Sequence, residues 1–144
     1  MELKDLTDKL QEGGYSCVIA NRGIVRTFTQ RGVADLFDLL EHEPDFLRGA
    51  ILADKVVGKA AAALMVLGGV TRMHADVMSR PAYELLQAAK VEVDCPTLVP
   101  HIINRTGTGW CPLETASRDL HTPQEILPVI RDFNNLQKQK HEPR

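Results

Sequence analysis

A cysteine in the last third of the chain has the residue type and the local setting for nucleophilic chemistry. Cys111 directly precedes Pro112, and proline favours the first turn of a helix. At a helix N-terminus the free amides and the helix dipole favour a thiolate and lower a cysteine pKa. The alternative is a structural role for Cys111, because free cysteine is among the most buried residue types.

A small-residue triplet leads into the same predicted helix. Gly107, Thr108 and Gly109 would let backbone amides approach a ligand, and a helix N-terminus is a ready anion site. The alternative is a plain strand-to-helix turn. Trp110 follows directly, where it either stacks on a ring-shaped ligand or anchors the core.

A second group of charged residues lies at the predicted start of a helix over Lys55–Leu67. Asp54 is interpreted as either its N-cap or a catalytic acid, and Lys55 and Lys59 follow in the first turns. Lys59 interrupts an apolar run, so its ammonium either meets a ligand anion, pairs with Asp54 or Glu114, or reaches solvent. Glu114 lies in the first turn of its own helix, where the dipole favours acids in any case.

The remaining candidate side chains are interpreted as structural or incidental. Cys17 and Cys95 are expected to be packing residues. The five histidines occur at no metal-ligand spacing, and we interpret them as surface or incidental residues: His42, His74, His101, His121 and His141.

The apolar periodicity predicts the elements that position these residues. In chain order they are a helix over 2–12, a hairpin of Tyr15–Ala20 and Ile24–Thr29, a helix from Val33 that stops before Pro44, a strand over Phe46–Ala53, the helix over Lys55–Leu67, a strand over Thr71–Met78, a helix capped by Ser79, a strand within Val91–Ile103 interrupted by two prolines, a short helix from Pro112, and a last helix opening at the capping box Thr122–Glu125. Strands that alternate with helices after a hairpin predict a three-layer α-β-α sandwich with a mixed sheet.

Composition limits the protein class. The chain has 144 residues, 44% of them hydrophobic, and a net charge of −2, which predicts one domain over residues 1–136 and a polar, frayed tail over 137–144. The charge balance indicates neither a nucleic-acid nor a membrane partner. Three widely spaced cysteines fit a reducing cytosol, so we expect a cytoplasmic protein.

Two segments carry a resemblance to a known family. Ala53-Asp54-Lys55-Val56-Val57-Gly58-Lys59-Ala60 and Asn104-Arg105-Thr106-Gly107-Thr108-Gly109-Trp110-Cys111-Pro112-Leu113-Glu114 look like the signature segments of an uncharacterised prokaryotic family with a cytidine-deaminase-like fold. The resemblance runs from about residue 5 to residue 120. It implies the fold and brings no assigned reaction with it.

The departure from true deaminases predicts that zinc chemistry is absent. Those enzymes hold zinc with a His or Cys at one helix start and a Cys-x-x-Cys pair at the next, and a Glu moves the protons. The stretch from Asp54 to Lys59 offers neither a His, a Cys nor a Glu, and Glu114 replaces the second thiol. Asp54, Cys111 and Glu114 would form an unusual O/S/O set, so we expect neither a metal nor another cofactor.

Three functions follow as hypotheses. The first is a binding domain for a small anionic metabolite or nucleotide, held between the helix starts near Asp54 and Cys111. The second is a thiol enzyme that uses Cys111 as nucleophile or group carrier, with Lys59 and Glu114 adjusting its charge. The third is a non-catalytic, homo-oligomeric interaction module whose ancestral active site has decayed.

Overall fold

The structure is a computed structural model that describes residues 2–30, 33–102 and 112–141, with side chains described as far as residue 136. Among these residues seven helices and six strands follow in the order α1 (Leu3–Gly13), β1 (Cys17–Asn21), β2 (Ile24–Phe28), α2 (Ala34–His42), α3 (Pro44–Leu47), β3 (Ile51–Val57), α4 (Lys59–Gly68), β4 (Arg72–Ser79), α5 (Arg80–Ala88), β5 (Glu92–Asp94), β6 (Thr97–Val99), α6 (Pro112–Ala116) and α7 (Pro123–His141). No helix in these ranges is long and apolar enough to cross a membrane.

The strands form one mixed, open sheet in the order β2-β1-β3-β4-β5, with β6 also paired to β4. β1 is antiparallel to both β2 and β3, whereas β3, β4, β5 and β6 run parallel where they pair. The predicted α/β class and mixed sheet are therefore confirmed. The hairpin turn is also confirmed, since Arg22 and Gly23 both have positive φ, as a two-residue turn of the type I′ class requires.

Two apolar clusters lie on opposite faces of the sheet. The smaller one joins α1 to the sheet through Leu6, Leu10, Val18 and Ala53. The larger one contains α2, α4, α5 and α7 together with the other face of the sheet. α4 is at its centre, with eight of its ten residues buried. This agrees with the prediction from its alanine-rich sequence, since a helix that is apolar on all sides must be covered on most of them.

The boundary between β3 and α4 differs from the sequence prediction. Asp54 and Lys55 are part of β3 and do not open the following helix, which begins at Lys59 after Gly58 as N-cap. The reason is pairing on both sides, because Asp54 is in register with Cys17 on β1 and Ala75 on β4. The interpretation of Asp54 as a helix N-cap is therefore wrong.

The segment before β3 also differs. The predicted strand over Phe46–Ala53 begins five residues late, at Ile51, because Pro44 starts the short helix α3. Proline at a first helical position has its φ already set for a helix and needs no amide partner.

The helix starts after β4 and before α7 agree with prediction. The Ser79 hydroxyl caps α5 by accepting from the Ala82 amide at 3.3 Å. The Thr122 hydroxyl accepts from the Glu125 amide at 3.2 Å. The segment with two prolines forms the separate strands β5 and β6, so the predicted interruption is confirmed. α7 continues as helix through His141, five residues into the polar stretch that begins at residue 137.

Candidate functional site

The first turn of α4 binds a carboxylate supplied by α6. The Lys59 amide donates to Glu114 Oε1 at 2.6 Å, and the Ser79 hydroxyl donates to the same oxygen at 3.2 Å. The Ile102 amide donates to Glu114 Oε2 at 3.3 Å. Glu114 is only 4% exposed. The end of β4, the start of α4, the segment after β6 and α6 therefore meet at one buried carboxylate.

Gly58 provides the space for this carboxylate. A Cβ at position 58 would lie 2.7 Å from Glu114 Oε1 and 3.3 Å from Ile102 Cγ1. The first contact would force the carboxylate to shift and the second would be tight, while the backbone at Gly58 is extended and open to any residue. Gly58 therefore leaves room for the close approach of Glu114 and is not needed for its own backbone geometry.

The Lys59 ammonium is bound to backbone carbonyls. Nζ donates to Ser117 O at 2.9 Å, to Arg118 O at 3.3 Å and to Leu120 O. These carbonyls follow the C-terminal end of α6, where the helix dipole favours a cation. Lys59 is only 8% exposed. Its buried ammonium is nevertheless satisfied, because each of its three N–H donors has a carbonyl acceptor. These carbonyls, and not Asp54 or Glu114, are the partners of the ammonium in the structure, whereas a ligand anion as its partner stays a hypothesis.

Asp54 belongs to a different buried environment. It is 9% exposed, and its partner in the antiparallel register is Cys17, which is 6% exposed. Burial raises the pKa of Asp54 to about 7, against the lowering effect of backbone hydrogen bonds from Val56 and Lys55. Burial also raises the pKa of the Cys17 thiol well above its usual value, with Asp54 and Asp35 adding to the shift. Asp54 can therefore hold a proton near neutral pH, which the sequence alone did not indicate.

The structure thus brings only some of the predicted site residues together. Glu114 contacts the Lys59 amide directly, whereas Asp54 has other hydrogen-bond partners, and Lys55 is half-buried in β3. Gly107, Thr108, Gly109, Trp110 and Cys111 lie outside the described residues, so the predicted thiol chemistry of Cys111 stays a prediction.

A histidine cluster on the other face of the sheet was missed by the sequence interpretation. His74 is 5% exposed, with Nδ1 at 2.7 Å from Asp94 Oδ2 and Nε2 at 2.8 Å from Asp76 Oδ1. The interpretation of His74 as a surface or incidental residue is therefore wrong. The available signal was the spacing His74-Ala75-Asp76 in a predicted strand, since residues two apart share one face.

Metal binding has no candidate in the part of the chain that the structure describes. No group of three or more His, Cys, Asp or Glu side chains there could hold a metal ion. In the histidine cluster the imidazole lies between the two carboxylates, so the three side chains do not converge on one point.

An apolar groove of about 480 Å³ adjoins the Glu114 site. It is lined by Val56, Val77, Val99, Pro100, His101 and Ile102. Val56 is 50% exposed, which is high for a valine in a paired strand. Ile102 links the two features, because its amide binds Glu114 while its residue lines the groove.

Fold and site together define an α/β domain with a mixed open sheet and a buried, internally paired group of charges at the start of its central helix. The chain belongs to the DUF1893 family: the family model described as TM1506, a domain of unknown function, matches residues 5–134. The sequence resemblance to a family without an assigned reaction agrees with this result.

The fold is also similar to a solved structure. The crystal structure of a DUF1893 family protein (TM1506) from Thermotoga maritima matches with a TM-score of 0.83 over 90% of this chain and 88% of that chain. The two sequences are 22% identical, so this likeness concerns the fold. None of the curated proteins compared with the chain matches it.

Proposed function

We propose that the chain is a non-catalytic interaction module with a cytidine-deaminase-like fold that self-associates through the groove beside Val56. The fold part of this proposal is supported by the strand order and by the resemblance of the two sequence segments. A hairpin antiparallel to the first of several parallel strands, with helices on both faces, is the arrangement that the resemblance implies.

The observation that carries the proposal is the buried Glu114 carboxylate on the first amide of α4. In open α/β sheets, ligands bind beyond the carboxyl ends of the strands, and helix N-termini there hold the ligand's anionic groups. Here α4 follows directly after β3, and a side chain of the same protein takes that position. An incoming anion would have to displace three hydrogen bonds and leave a second negative charge nearby.

Lys59 supports the same conclusion. The hypothesis of a pocket for an anionic metabolite or nucleotide needs a cation that is available to a ligand. The Lys59 ammonium already has three carbonyl partners, so binding an anion would strand those carbonyls in a buried setting. An interaction module with a decayed site needs no available cation, and the geometry at Lys59 is consistent with that reading.

The described residues do not fit the zinc that the fold family implies. Glu114 accepts hydrogen bonds from two amides and a hydroxyl, and Asp54 accepts backbone hydrogen bonds within β3. A catalytic zinc site needs three N, S or O ligands that converge and leave one position open. We therefore expect purified protein to carry less than about one zinc per ten chains by elemental analysis, and about one per chain would contradict this expectation.

The groove supports the choice of a second copy as partner. Its lining is mainly aliphatic, and half-exposed Val56 offers apolar surface that association would remove from water. A homo-oligomer that closes by two-fold symmetry uses the same patch on both subunits, so an apolar patch is compatible with itself.

Two experiments test the proposal. Sedimentation velocity over a concentration series should show self-association that Val56→Ser weakens about tenfold or more, whereas Ile24→Ser, an equally exposed aliphatic residue on β2, leaves it unchanged. A monomer at all concentrations, or equal effects of the two variants, would refute the groove as the interface.

The second experiment tests whether Glu114 blocks anion binding at the N-terminus of α4. Phosphate and a nucleotide mixture should not raise the melting temperature of the wild-type protein. Glu114→Ala frees the α4 amide, and the variant should gain stability from added acetate or phosphate. Stabilisation of the wild-type protein by a nucleotide would instead favour the anionic-metabolite hypothesis.

A further inference from the structure

The histidine cluster connects three elements of the fold through one imidazole ring. His74 on β4 contacts Asp94 on β5 through Nδ1 and Asp76 on its own strand through Nε2. Asp76 in turn accepts from Gln11 Nε2 of α1, at 2.7 Å to one oxygen and 2.9 Å to the other. β5 and α1 are therefore both joined to β4 by contacts that include the His74 ring or its direct partner.

The protonation state of His74 determines whether both contacts are attractive. An imidazolium donates from both ring nitrogens, so it can satisfy both carboxylates at once. A neutral imidazole has one donor and one lone pair, and an ionised carboxylate has nothing to donate to that lone pair. One of the two short contacts then becomes a repulsion between a lone pair and a carboxylate.

A neighbouring pair on the same two strands offers a natural comparison. Arg72 and Glu92 occupy the preceding position on the same face of the β4–β5 ladder, with Nε to Oε2 at 2.7 Å. Arginine keeps its charge over the whole accessible pH range, whereas histidine changes charge between about pH 5 and 8. The β4–β5 ladder therefore carries one permanent and one titratable cross-strand charge pair.

We propose that His74 is a proton-operated clamp, which fastens β5 to β4 through Asp94 when the ring is protonated and loosens β5 when the proton is lost. The contacts are short, and the ring is buried while Asp94 is largely exposed and Asp76 partly so. Breaking the outer contacts exposes little core, so the clamp can open without global unfolding.

Carboxylates face the ring from two strands. Asp76 faces it from β4 and Asp94 from β5, while α1 contributes the neutral amide of Gln11. On β3 the register partner of His74 is the uncharged Ala53, and Lys55, between the positions that pair with Ala75 and Val77, places a positive charge opposite Asp76. Asp54, which follows Ala53, faces the opposite side of the sheet, and its pKa is raised mainly by burial and in smaller part by Asp76. Loss of the His74 proton thus leaves the carboxylates of Asp76 and Asp94 without an adjacent imidazolium.

The test combines NMR with amide hydrogen exchange on the full chain. Long-range ¹H–¹⁵N spectra should show both His74 ring nitrogens protonated at about pH 5.5 and one at about pH 8.5. After correction for the intrinsic pH dependence of exchange, the opening equilibrium of β5 amides should rise about tenfold or more over that range, while that of α1 amides should stay unchanged. His74→Gln should abolish this rise.

Matched variants separate the clamp from general effects of pH. Arg72→Gln should loosen β5 equally at both pH values and keep the pH-dependent rise, and the exposed His121→Gln should behave as wild type. If His74→Gln does not fold, Asp94→Asn serves instead and should likewise remove the response of β5. A ring that keeps one proton throughout, or a pH-dependent rise that persists in His74→Gln, would overturn the proposal.

Discussion

The first turn of α4 and the middle of the sheet both contain buried charged side chains, and the two regions differ in the hydrogen-bond partners that they offer to those charges. At α4 the Lys59 ammonium donates to three backbone carbonyls, and the Glu114 carboxylate accepts from two amides and a hydroxyl. Asp54 in β3 also accepts backbone hydrogen bonds, yet burial outweighs them and raises its pKa to about 7. Burial alone therefore does not determine the state of a charge, because the number and kind of its partners decide it.

The difference also concerns the response to pH. The α4 group joins α4, α6 and the end of β4 in one connected set of hydrogen bonds. Asp54 instead has its pKa raised to about 7 by burial, so it exchanges its proton near neutral pH. A pH-dependent contribution to stability is therefore expected from Asp54 in the sheet.

The largest expected effect concerns Asp54. Its folded pKa of about 7 lies above the ordinary 3.8, so the folded protein binds more protons than the unfolded chain between these values. The stabilising contribution is complete below about pH 4 and is lost as the pH rises to about 7. Asp54→Asn removes this loss. The free energy of unfolding of the variant, relative to that of wild type, should therefore rise by on the order of 4 kcal/mol between pH 4 and pH 8.

Urea melts of both proteins across that pH range measure this difference directly. Asp8→Asn, on the exposed side of α1, is the control and should follow wild type within about 0.5 kcal/mol. A constant offset between Asp54→Asn and wild type at all pH values would show that Asp54 is ionised in the folded protein.

Lys59→Met is expected to have the next largest effect. It leaves the carbonyls of Ser117, Arg118 and Leu120 without their cation, so the free energy of unfolding should fall by about 3 kcal/mol. Lys55→Met, at a half-buried lysine four residues earlier, is the matched control and should change it by less than about 1 kcal/mol. If Lys59→Met were as stable as wild type or more stable, the carbonyl contacts would contribute nothing and the ligand-anion hypothesis would regain support.

Gly58→Ala tests the close approach of Glu114. The added Cβ would lie 2.7 Å from Oε1, so the carboxylate must move and weaken its bonds to the Lys59 amide and Ser79. We expect a loss of about 2 kcal/mol in the free energy of unfolding. The double variant Gly58→Ala with Glu114→Ala should lose less than the sum of the single changes, which a mutant cycle of urea melts would detect. Additive losses would mean that the two residues do not compete for this space.

The smallest effect is a difference in thiol reactivity that leaves the fold unchanged. Burial raises the pKa of the Cys17 thiol well above the ordinary value, and burial also raises the pKa of the less buried Cys95. Alkylation of the native protein by iodoacetamide should therefore be slowest at Cys17. Cys111 is predicted from its position before Pro112 to react fastest, and mass spectrometry of the three peptides ranks the rates. Rapid native labelling of Cys17 would contradict its buried, protonated state.

Local signals in the sequence were sufficient for most of the elements and for several of their ends. The alanine-rich run predicted the central helix α4, Asn21-Arg22-Gly23 predicted the hairpin, and Ser79 and Thr122 predicted two helix starts. Each of these depends on residues within a few positions of one another. Backbone conformation, capping and amphipathic period act over that distance, so they can be read before the fold is known.

The partners of the buried charges were decided only by the tertiary structure. Lys59 binds carbonyls about 60 positions later in the chain, and His74 meets Asp94 because β4 and β5 pair in one particular register. The end of β3 likewise depends on its pairing with β1 and β4, which kept Asp54 and Lys55 in the strand. Such contacts follow from strand register and helix packing, which no local pattern specifies, because a pattern indicates that a charge must be satisfied and not which distant group satisfies it.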